Sequence, residues 1–295
     1  MDPALIPTPL NIPNLLRAHG LSPRKSLGQN FLIDNIALEK VVDAAEITRV
    51  DAVLEIGAGL GSLTRFLARA SRRVVAVELD KHLIPVLETV LGQEANVELI
   101  YGDILKLDPA KLILTDGYLV VANIPYYITS AIIRHLLESI RKPKRLVLTI
   151  QKEVAQRICA QPDDLSLLAL SVQVYGKPTI VARIPAGAFY PPPNVDSAVI
   201  RVELFPEPLI PGAQLDTFFR LAKAGFGQKR KMLRSSLSSG ISWSTERGER
   251  LLIESGIDPS RRAETLALEE WRDLTAKFVE WSEKESVKGN KTGNS

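Results

Sequence analysis

Apolar and polar residues are arranged in two different ways along this chain. Up to about residue 204, short apolar runs of the kind that form buried strands are separated by stretches with helical spacing. Beyond residue 212 only the helical spacing remains. The first pattern is typical of a parallel sheet covered by helices on both faces, and the second of an all-helical domain.

These patterns predict individual elements. Strands are predicted at 53–56, 73–77, 97–101 and 118–122, and the alternation at 195–204 favours an antiparallel edge strand. Helices are predicted at 35–46, 62–68, 153–160, 215–224, 231–238, 245–254 and 268–282. In the last of these, Trp271 and Phe278 share one face, which we interpret as core.

Proline density marks residues 205–212 as a linker. We therefore expect an α/β fold, with a Rossmann-like sheet domain at 1–205 and a smaller all-helical domain at 206–283. The polar residues 284–295 are predicted to be a disordered tail.

Composition excludes several classes of protein. The chain has 295 residues, 45% of them hydrophobic, which is enough for a real core. No apolar run approaches the roughly 18 residues of a membrane span, and the first residues lack the order of a signal peptide, so we expect a cytoplasmic protein. Its one cysteine, Cys159, is predicted to be buried and apolar. The three histidines have no metal-ligand spacing, and no metal is predicted.

The most informative motif is Asn123-Ile124-Pro125-Tyr126, directly after a predicted strand. It suits methylation of the exocyclic amine of a flipped base. Amide and backbone oxygens can accept the two N–H bonds of that amine, while proline fixes the direction of a carbonyl and tyrosine stacks on the base. The alternative is an ordinary Asn-Pro turn at a strand end.

Other strand ends carry nucleotide-binding features. A G-x-G-x-G loop begins at Gly57, after Glu55, and leads into a helix, so that its backbone can approach a ligand closely. Glu78 ends the next strand, where a carboxylate can accept both ribose hydroxyls. Asp103 follows a third strand and is placed for an adenine amino group. NAD enzymes also have an acid at the position of Glu78, and Asp103 alone could cap a helix, so both alternatives stay open.

Taken together, these motifs resemble the S-adenosylmethionine-dependent amino-methyltransferases. Three further segments narrow the resemblance to the small-subunit (16S) ribosomal RNA adenine dimethyltransferases of the KsgA type: Lys25-Ser26-Leu27-Gly28-Gln29-Asn30-Phe31-Leu32, Gln151-Lys152-Glu153-Val154-Ala155-Gln156-Arg157 and Phe189-Tyr190-Pro191-Pro192-Pro193-Asn194-Val195-Asp196-Ser197-Ala198. The resemblance runs from near Leu15 to Leu274. Two departures, Ala58 where proline is frequent and Tyr127 where asparagine also occurs, remove no functional group.

The resemblance implies a role for each matched residue. S-adenosylmethionine, the methyl donor, would be bound by Asn30, Leu32, Gly57, Glu78, Asp103 and Asn123. The target adenine would be held at Asn123 and Pro125 and stacked between Tyr126 and Phe189. The implied reaction is N6,N6-dimethylation of two adjacent adenosines near the 3′ end of small-subunit ribosomal RNA, within an immature subunit.

The chain has 37 basic and 34 acidic residues, so its net charge of +3 says little. Only local clusters of charge are informative. A cation cluster falls in the helical part and predicts phosphate contacts with RNA; its members are Lys223, Lys229, Arg230, Lys231 and Arg234. A second group at 141–145 fits a solvated loop about as well as an RNA surface. A solvated helix face is the alternative for the cation cluster too.

Two other functions remain possible from the sequence. One is an antibiotic-resistance adenine methyltransferase acting on large-subunit ribosomal RNA, which shares the donor pocket. The other is an assembly or RNA-binding factor that keeps the fold without turnover. The segments at 27–30 and 151–154 and the long helical region favour the small-subunit enzyme, which we expect to be a monomer without membrane contacts.

Overall fold

The computed structural model describes residues 6–125 and 128–292, with side chains up to residue 284. The chain forms two compact units. The first contains the chain up to Gln156 together with Lys177–Leu204, and the second contains Arg157–Gly176 and the chain from Phe205 onward. Residues 157–176, assigned to the first domain by the predicted boundary at 205, thus pack with the helical unit.

A seven-stranded sheet is the centre of the first unit, with strand order β4-β3-β2-β5-β6-β9-β7. The strands are β2 (Ala52–Ile56), β3 (Arg73–Glu78), β4 (Val97–Tyr101), β5 (Leu119–Asn123), β6 (Arg145–Gln151), β7 (Gly176–Ile184) and β9 (Ser197–Leu204). Strands β2 to β6 are parallel to one another, and β9 pairs with β6 antiparallel, as the alternation at 195–204 predicted. The predicted edge position was wrong, because β7 lies beyond β9 at the edge of the sheet. A separate antiparallel pair joins β1 (Phe31–Leu32) to β8 (Phe189–Tyr190).

The central strands are buried on both faces, as expected for parallel strands with crossover helices. Val53 and Leu54, which point to opposite faces of β2, are both 0% exposed. The helices that begin before residue 157 are α1 (Ile12–Ala18), α2 (Asn35–Ala45), α3 (Ser62–Ala70), α4 (Ile84–Leu91), α5 (Pro109–Leu112), α6 (Thr129–Glu138) and α7 (Lys152–Ile158). Each crossover therefore returns the chain to the same edge of the sheet, where β2, β3, β4 and β5 all end.

The described part of the second unit is helical. Its helices are α8 (Leu167–Gln173), α9 (Leu215–Phe226), α10 (Leu233–Gly240), α11 (Thr245–Glu254) and α12 (Leu268–Thr292). Trp271 is fully buried and its ring stacks on Phe226 with centroids 5.8 Å apart, while Phe278 is 5% exposed. The prediction that Trp271 and Phe278 are core residues is therefore confirmed.

Three further predicted details were wrong. Helix α10 begins at Leu233 rather than at residue 231, because residues 227–230 form a turn. Helix α12 continues to Thr292, so the tail predicted to be disordered from 284 is helical to that point; glutamate and lysine at helical spacing, such as Glu280 with Lys284, support it. Cys159 is partly rather than fully buried.

Among the residues that the structure describes, no helix has the length and hydrophobicity that crossing a membrane requires.

Candidate active site

The carboxyl ends of β2, β3 and β5 meet at one edge of the sheet because their registers coincide: Ile56 lies opposite both Val77 and Ala122. The loops that follow these strands surround a cavity, here called the strand-end cavity. Six of the predicted site residues line it: Asn30, Gly57, Glu78, Asp103, Asn123 and Pro125. Residues from four separate strand ends and from the N-terminal region are therefore brought to one place.

The glycine loop after β2 requires glycine for two reasons. Gly57 has φ 78° and Gly59 has φ 61°, a backbone region that other residues rarely adopt. A Cβ atom on Gly59 would also lie 3.0 Å from the ring of Phe31. A side chain on this loop would therefore strain the backbone and push against the N-terminal segment that lines the cavity.

Glu78 is held rigidly at the end of β3. It is 6% exposed, and its two carboxylate oxygens accept from the backbone N–H groups of Gly59 and Asp80, each at 2.8 Å. Burial raises the pKa of Glu78 above its ordinary value, although the two amide donors act against this. Each oxygen keeps a second lone pair for a hydroxyl group on a ligand.

Glu55 lies in the middle of the sheet, one residue before the end of β2. It is 1% exposed, and its Oε2 has no hydrogen-bond partner among the described residues. Burial raises the pKa of Glu55 to about 8, with a contribution from the charge of Glu78. At neutral pH the carboxyl is therefore mostly protonated, and it adds little negative charge beneath the loop.

Asp103 follows β4, and its surroundings do not support the helix-capping alternative that the sequence left open. Its Oδ1 accepts from the backbone N–H of Leu105 at 3.1 Å, which closes a tight turn. The same side chain lines the strand-end cavity and is 30% exposed. It does not cap a helix, because the next helix, α5, begins at Pro109 and is capped by Asp108.

Asn123, at the end of β5, has its amide orientation fixed by the N-terminal segment. Its Nδ2 donates to the backbone carbonyl of Asn30 at 3.0 Å, so Oδ1 is the atom left as an acceptor. Pro125 follows at the cavity wall. Tyr126, the predicted stacking residue, lies outside the described residues.

Leu32 and Phe189 do not line the cavity. They face each other across the β1–β8 pair, and they are 4% and 3% exposed, respectively. Both belong to the hydrophobic core on one face of the sheet. A donor contact for Leu32 and base stacking for Phe189 therefore stay predictions.

A segment formed by residues 24–30, here called the strap, contributes Leu27, Gly28, Gln29 and Asn30 to the cavity lining. Asp80 contacts the strap twice: Arg24 Nη1 donates to Oδ1 at 3.2 Å and Gln29 Nε2 to Oδ2 at 2.8 Å. Burial raises the pKa of Asp80, but hydrogen bonds from Gln29, the His82 amide and Arg24 outweigh it, so the pKa lies below its ordinary value. This link was not predicted from the sequence, although Gln29 lies within the motif at 25–32.

In the second unit, four members of the cation cluster are exposed and form no ion pair with a described residue: Lys223, Lys229, Arg230 and Lys231. Lys223 and Lys229 line a groove together with Arg157, which lies outside the predicted cation cluster. Arg234 differs, because its guanidinium lies 3.4 Å from Glu249. The cation cluster thus presents a basic surface, with Arg234 partly neutralised.

The group at 141–145 uses its charges within the first unit. Arg141 lies 3.0 Å from Asp116 and Lys144 lies 2.6 Å from Asp51. Arg145 is 2.6 Å from Glu203. These ion pairs favour a structural role over RNA binding for this group.

A family model described as ribosomal RNA adenine dimethylase matches residues 20–279 of the chain. The chain belongs to the ribosomal RNA adenine dimethylase family. It is thus an adenine N6-dimethyltransferase of ribosomal RNA, and the predicted resemblance and enzyme class are confirmed.

Individual relatives of this dimethylase agree with the family match. The chain is 44% identical over 266 residues to a ribosomal RNA small subunit methyltransferase A from Dehalococcoides mccartyi strain CBDB1, covering 90% of this chain and 91% of that protein. A protein of the same name from Pelotomaculum thermopropionicum is 41% identical over 289 residues, 94% of this chain and 98% of that protein.

Solved structures confirm the predicted fold of the dimethylase. A dimethyladenosine transferase from Plasmodium falciparum superposes with a TM-score of 0.72 at 25% identity, over 85% of this chain and 98% of that one. The 23S rRNA methyltransferase ErmE superposes with a TM-score of 0.68 at 28% identity, over 84% of this chain and 99% of that one. The Rossmann-like methyltransferase sheet is therefore common to all three chains.

Proposed function

We propose that this dimethylase transfers methyl groups from S-adenosylmethionine to N6 of two adjacent adenosines near the 3′ end of small-subunit ribosomal RNA. The observation that carries the proposal is the placement of Asn123, whose amide oxygen is kept as an acceptor at the rim of a cavity lined by Glu78 and Asp103. The relatives named for the small subunit, at 41–44% identity, support the choice of RNA.

The residues of the strand-end cavity fit the donor. Gly57 leaves open the space above the end of β2, where an added Cβ would lie 3.6 Å from the carbonyl of Asn123. Glu78 accepts from the ribose hydroxyls through its free lone pairs, and Asp103 accepts from the adenine amino group. Asn30, in the strap, and Leu32, in β1, contact the donor from the N-terminal side. When bound, the donor supplies an electrophilic methyl group.

The chemistry at the target base depends on how its amine is held. The amine nitrogen has its lone pair delocalised into the ring, so it becomes nucleophilic only when its geometry moves toward tetrahedral. Asn123 Oδ1 and the carbonyl before Pro125 accept its two N–H bonds and favour that geometry. Tyr126 and Phe189 stack on the flipped base. The proton released after transfer goes to solvent.

A pocket of this kind recognises adenine but not its position in the RNA. We assign that selection to the helical unit and to its exposed cations Lys223, Lys229, Arg230 and Lys231, together with Arg234. These side chains contact phosphates and read RNA shape. The protein acts in this way as a cytoplasmic monomer on an immature small subunit, without a metal ion.

The alternative of a large-subunit enzyme has one observation in its favour, the structural likeness to ErmE. It is weaker, since identity to ErmE is 28% while identity to the small-subunit methyltransferases reaches 44%. A non-catalytic assembly factor would not need the Asn123 amide to be oriented.

The test is methyl transfer by the purified full-length protein with S-adenosylmethionine. Its substrates are small subunits lacking dimethyladenosine and, in parallel, unmethylated large-subunit RNA. Nuclease digestion and mass spectrometry should find N6,N6-dimethyladenosine at two adjacent positions of the small-subunit RNA. Modification of the large-subunit RNA instead would support the resistance enzyme, and binding without modification would support the assembly factor.

A further inference from the structure

Asp80 is two residues beyond Glu78, and its side chain is 2% exposed. Its backbone N–H donates to Glu78 Oε1 at 2.8 Å, so it is tied directly to the proposed ribose-binding carboxylate. Its own Oδ1 accepts from the His82 N–H at 3.1 Å, which fixes the carboxylate plane. Asp80 is therefore a rigid acceptor that does not itself line the strand-end cavity.

The Gln29 side chain connects Asp80 to the rest of the strap, and its hydrogen bonds have a defined donor and acceptor direction. Its Oε1 accepts from the Arg24 backbone N–H and its Nε2 donates to Asp80 Oδ2, both at 2.8 Å. The amide thus bridges the first residue of the strap and the end of β3. A second hydrogen bond holds the last residue of the strap, because Asn123 donates to the Asn30 carbonyl.

We propose that Asp80 is a positioning residue that fastens the strap over the strand-end cavity through Gln29 and Arg24, and so retains the bound donor. The inference rests on the proposed function, because it takes that cavity to be the donor site. Donor release then requires these hydrogen bonds to open. Asp80 itself contacts neither the donor nor the RNA.

The bridge formed by the Gln29 amide between the Arg24 N–H and the Asp80 carboxylate predicts an unusual pattern of substitution effects. In Asp80→Asn the oxygen of the new amide stays with Arg24 and the His82 N–H, and its NH₂ group faces the NH₂ group of Gln29. Rotating the Gln29 amide would set its NH₂ group against the Arg24 N–H instead. In Gln29→Glu two carboxylates face each other. Each single change breaks the bridge without changing side-chain volume.

The double variant Gln29→Glu with Asp80→Asn restores the bridge with donor and acceptor exchanged. The carboxylate at position 29 accepts from the Arg24 N–H and from the amide at position 80, and the net charge equals that of the parent. A matched control is Glu88→Gln, which removes an exposed carboxylate on α4. No purely structural weakening predicts that two harmful changes correct each other.

The experiment measures the dissociation rate of S-adenosylmethionine from full-length parent, control, both single variants and the double variant. We expect about tenfold faster dissociation in each single variant, and a rate within about threefold of the parent in the double variant and the control. Trypsin cleavage after Arg24 and Lys25 in the donor-free proteins should follow the same order, because cleavage requires the strap to open.

Unchanged rates in the single variants, or a double variant as impaired as the product of both, would overturn the proposal. A parent protein that binds no S-adenosylmethionine would count against the proposed function alone. The trypsin cleavage rates would then still decide whether Asp80 fastens the strap.

Discussion

At the carboxyl ends of β2 and β3 two acidic side chains are nearly inaccessible, with Glu55 1% and Glu78 6% exposed. In the helical unit the side chains of Lys229, Arg230 and Lys231 are exposed on a turn. The first region holds its charges among backbone amides and apolar neighbours, where protonation changes energies strongly. The second presents its charges to water, where dissolved ions screen them. The cavity should therefore respond to pH and to single-atom changes, and the cation cluster to ionic strength.

The largest effect is expected from Asn123→Ala. Removing Oδ1 takes away an oriented acceptor for the target amine, and loss of one such contact typically lowers the rate about a hundred- to a thousandfold. Single-turnover methyl transfer at saturating donor and RNA is the measurement. Affinity for RNA, measured in parallel on the same variant, should stay close to that of the parent. A near-normal rate would mean that another group orients the base.

Glu78→Ala should mainly weaken donor binding. Charge-assisted hydrogen bonds to a carboxylate are worth roughly 1.5 to 3 kcal/mol, so the donor affinity should fall about ten- to a hundredfold. Calorimetric titration of S-adenosylmethionine into the variant measures this, with Glu88→Gln as a control for lost negative charge. Unchanged affinity would remove Glu78 from the donor site.

Asn123 and Glu78 could both be predicted as site residues from the sequence, because the carboxyl ends of parallel strands meet at one edge of a sheet. The apolar runs locate the ends of β3 and β5, and this is enough to place Glu78 and Asn123 close together. The prediction needed only local pattern and a general rule of topology.

The link between Gln29 and Asp80 could not be predicted in the same way. It joins residues far apart in sequence and depends on the path of an irregular segment, which no periodicity describes. The burial of Phe189 likewise depends on the small β1–β8 pair. The start of α10 was misplaced because lysine and arginine are good helix formers, whereas the chain forms a turn at 227–230 and the helix begins only at Leu233.

The pH dependence of the first region can be tested through Glu55. Its pKa of about 8 in the folded protein exceeds the ordinary value of 4.5, so the folded state keeps a proton that the unfolded chain releases. This contribution to stability is complete below about pH 4.5 and is lost as the pH rises toward 8. It falls by at most about 1.4 kcal/mol for each pH unit.

Glu55→Gln should remove that dependence, since the amide does not titrate. The free energy of unfolding, measured with urea from pH 5 to pH 9, should rise for the variant relative to the parent as the pH increases, and the difference should level off above about pH 8. A constant difference across this range would show that Glu55 is ionised in the folded protein.

The smallest effect is expected in the second region, from the triple variant Lys229→Ala, Arg230→Ala and Lys231→Ala. Each phosphate contact that is lost should lower the salt slope of RNA association by roughly 0.7 to 0.9, and affinity at moderate salt should fall about tenfold. The measurement is binding to immature small subunits between low and moderate salt, with donor affinity unchanged.

A matched control removes three exposed cations elsewhere, with Arg17→Ala, Lys40→Ala and Lys111→Ala. If the two triple variants lose affinity equally, the effect is one of net charge alone. If neither loses affinity, the recognition surface lies outside the cation cluster, and the groove residue Arg157 becomes the next position to change.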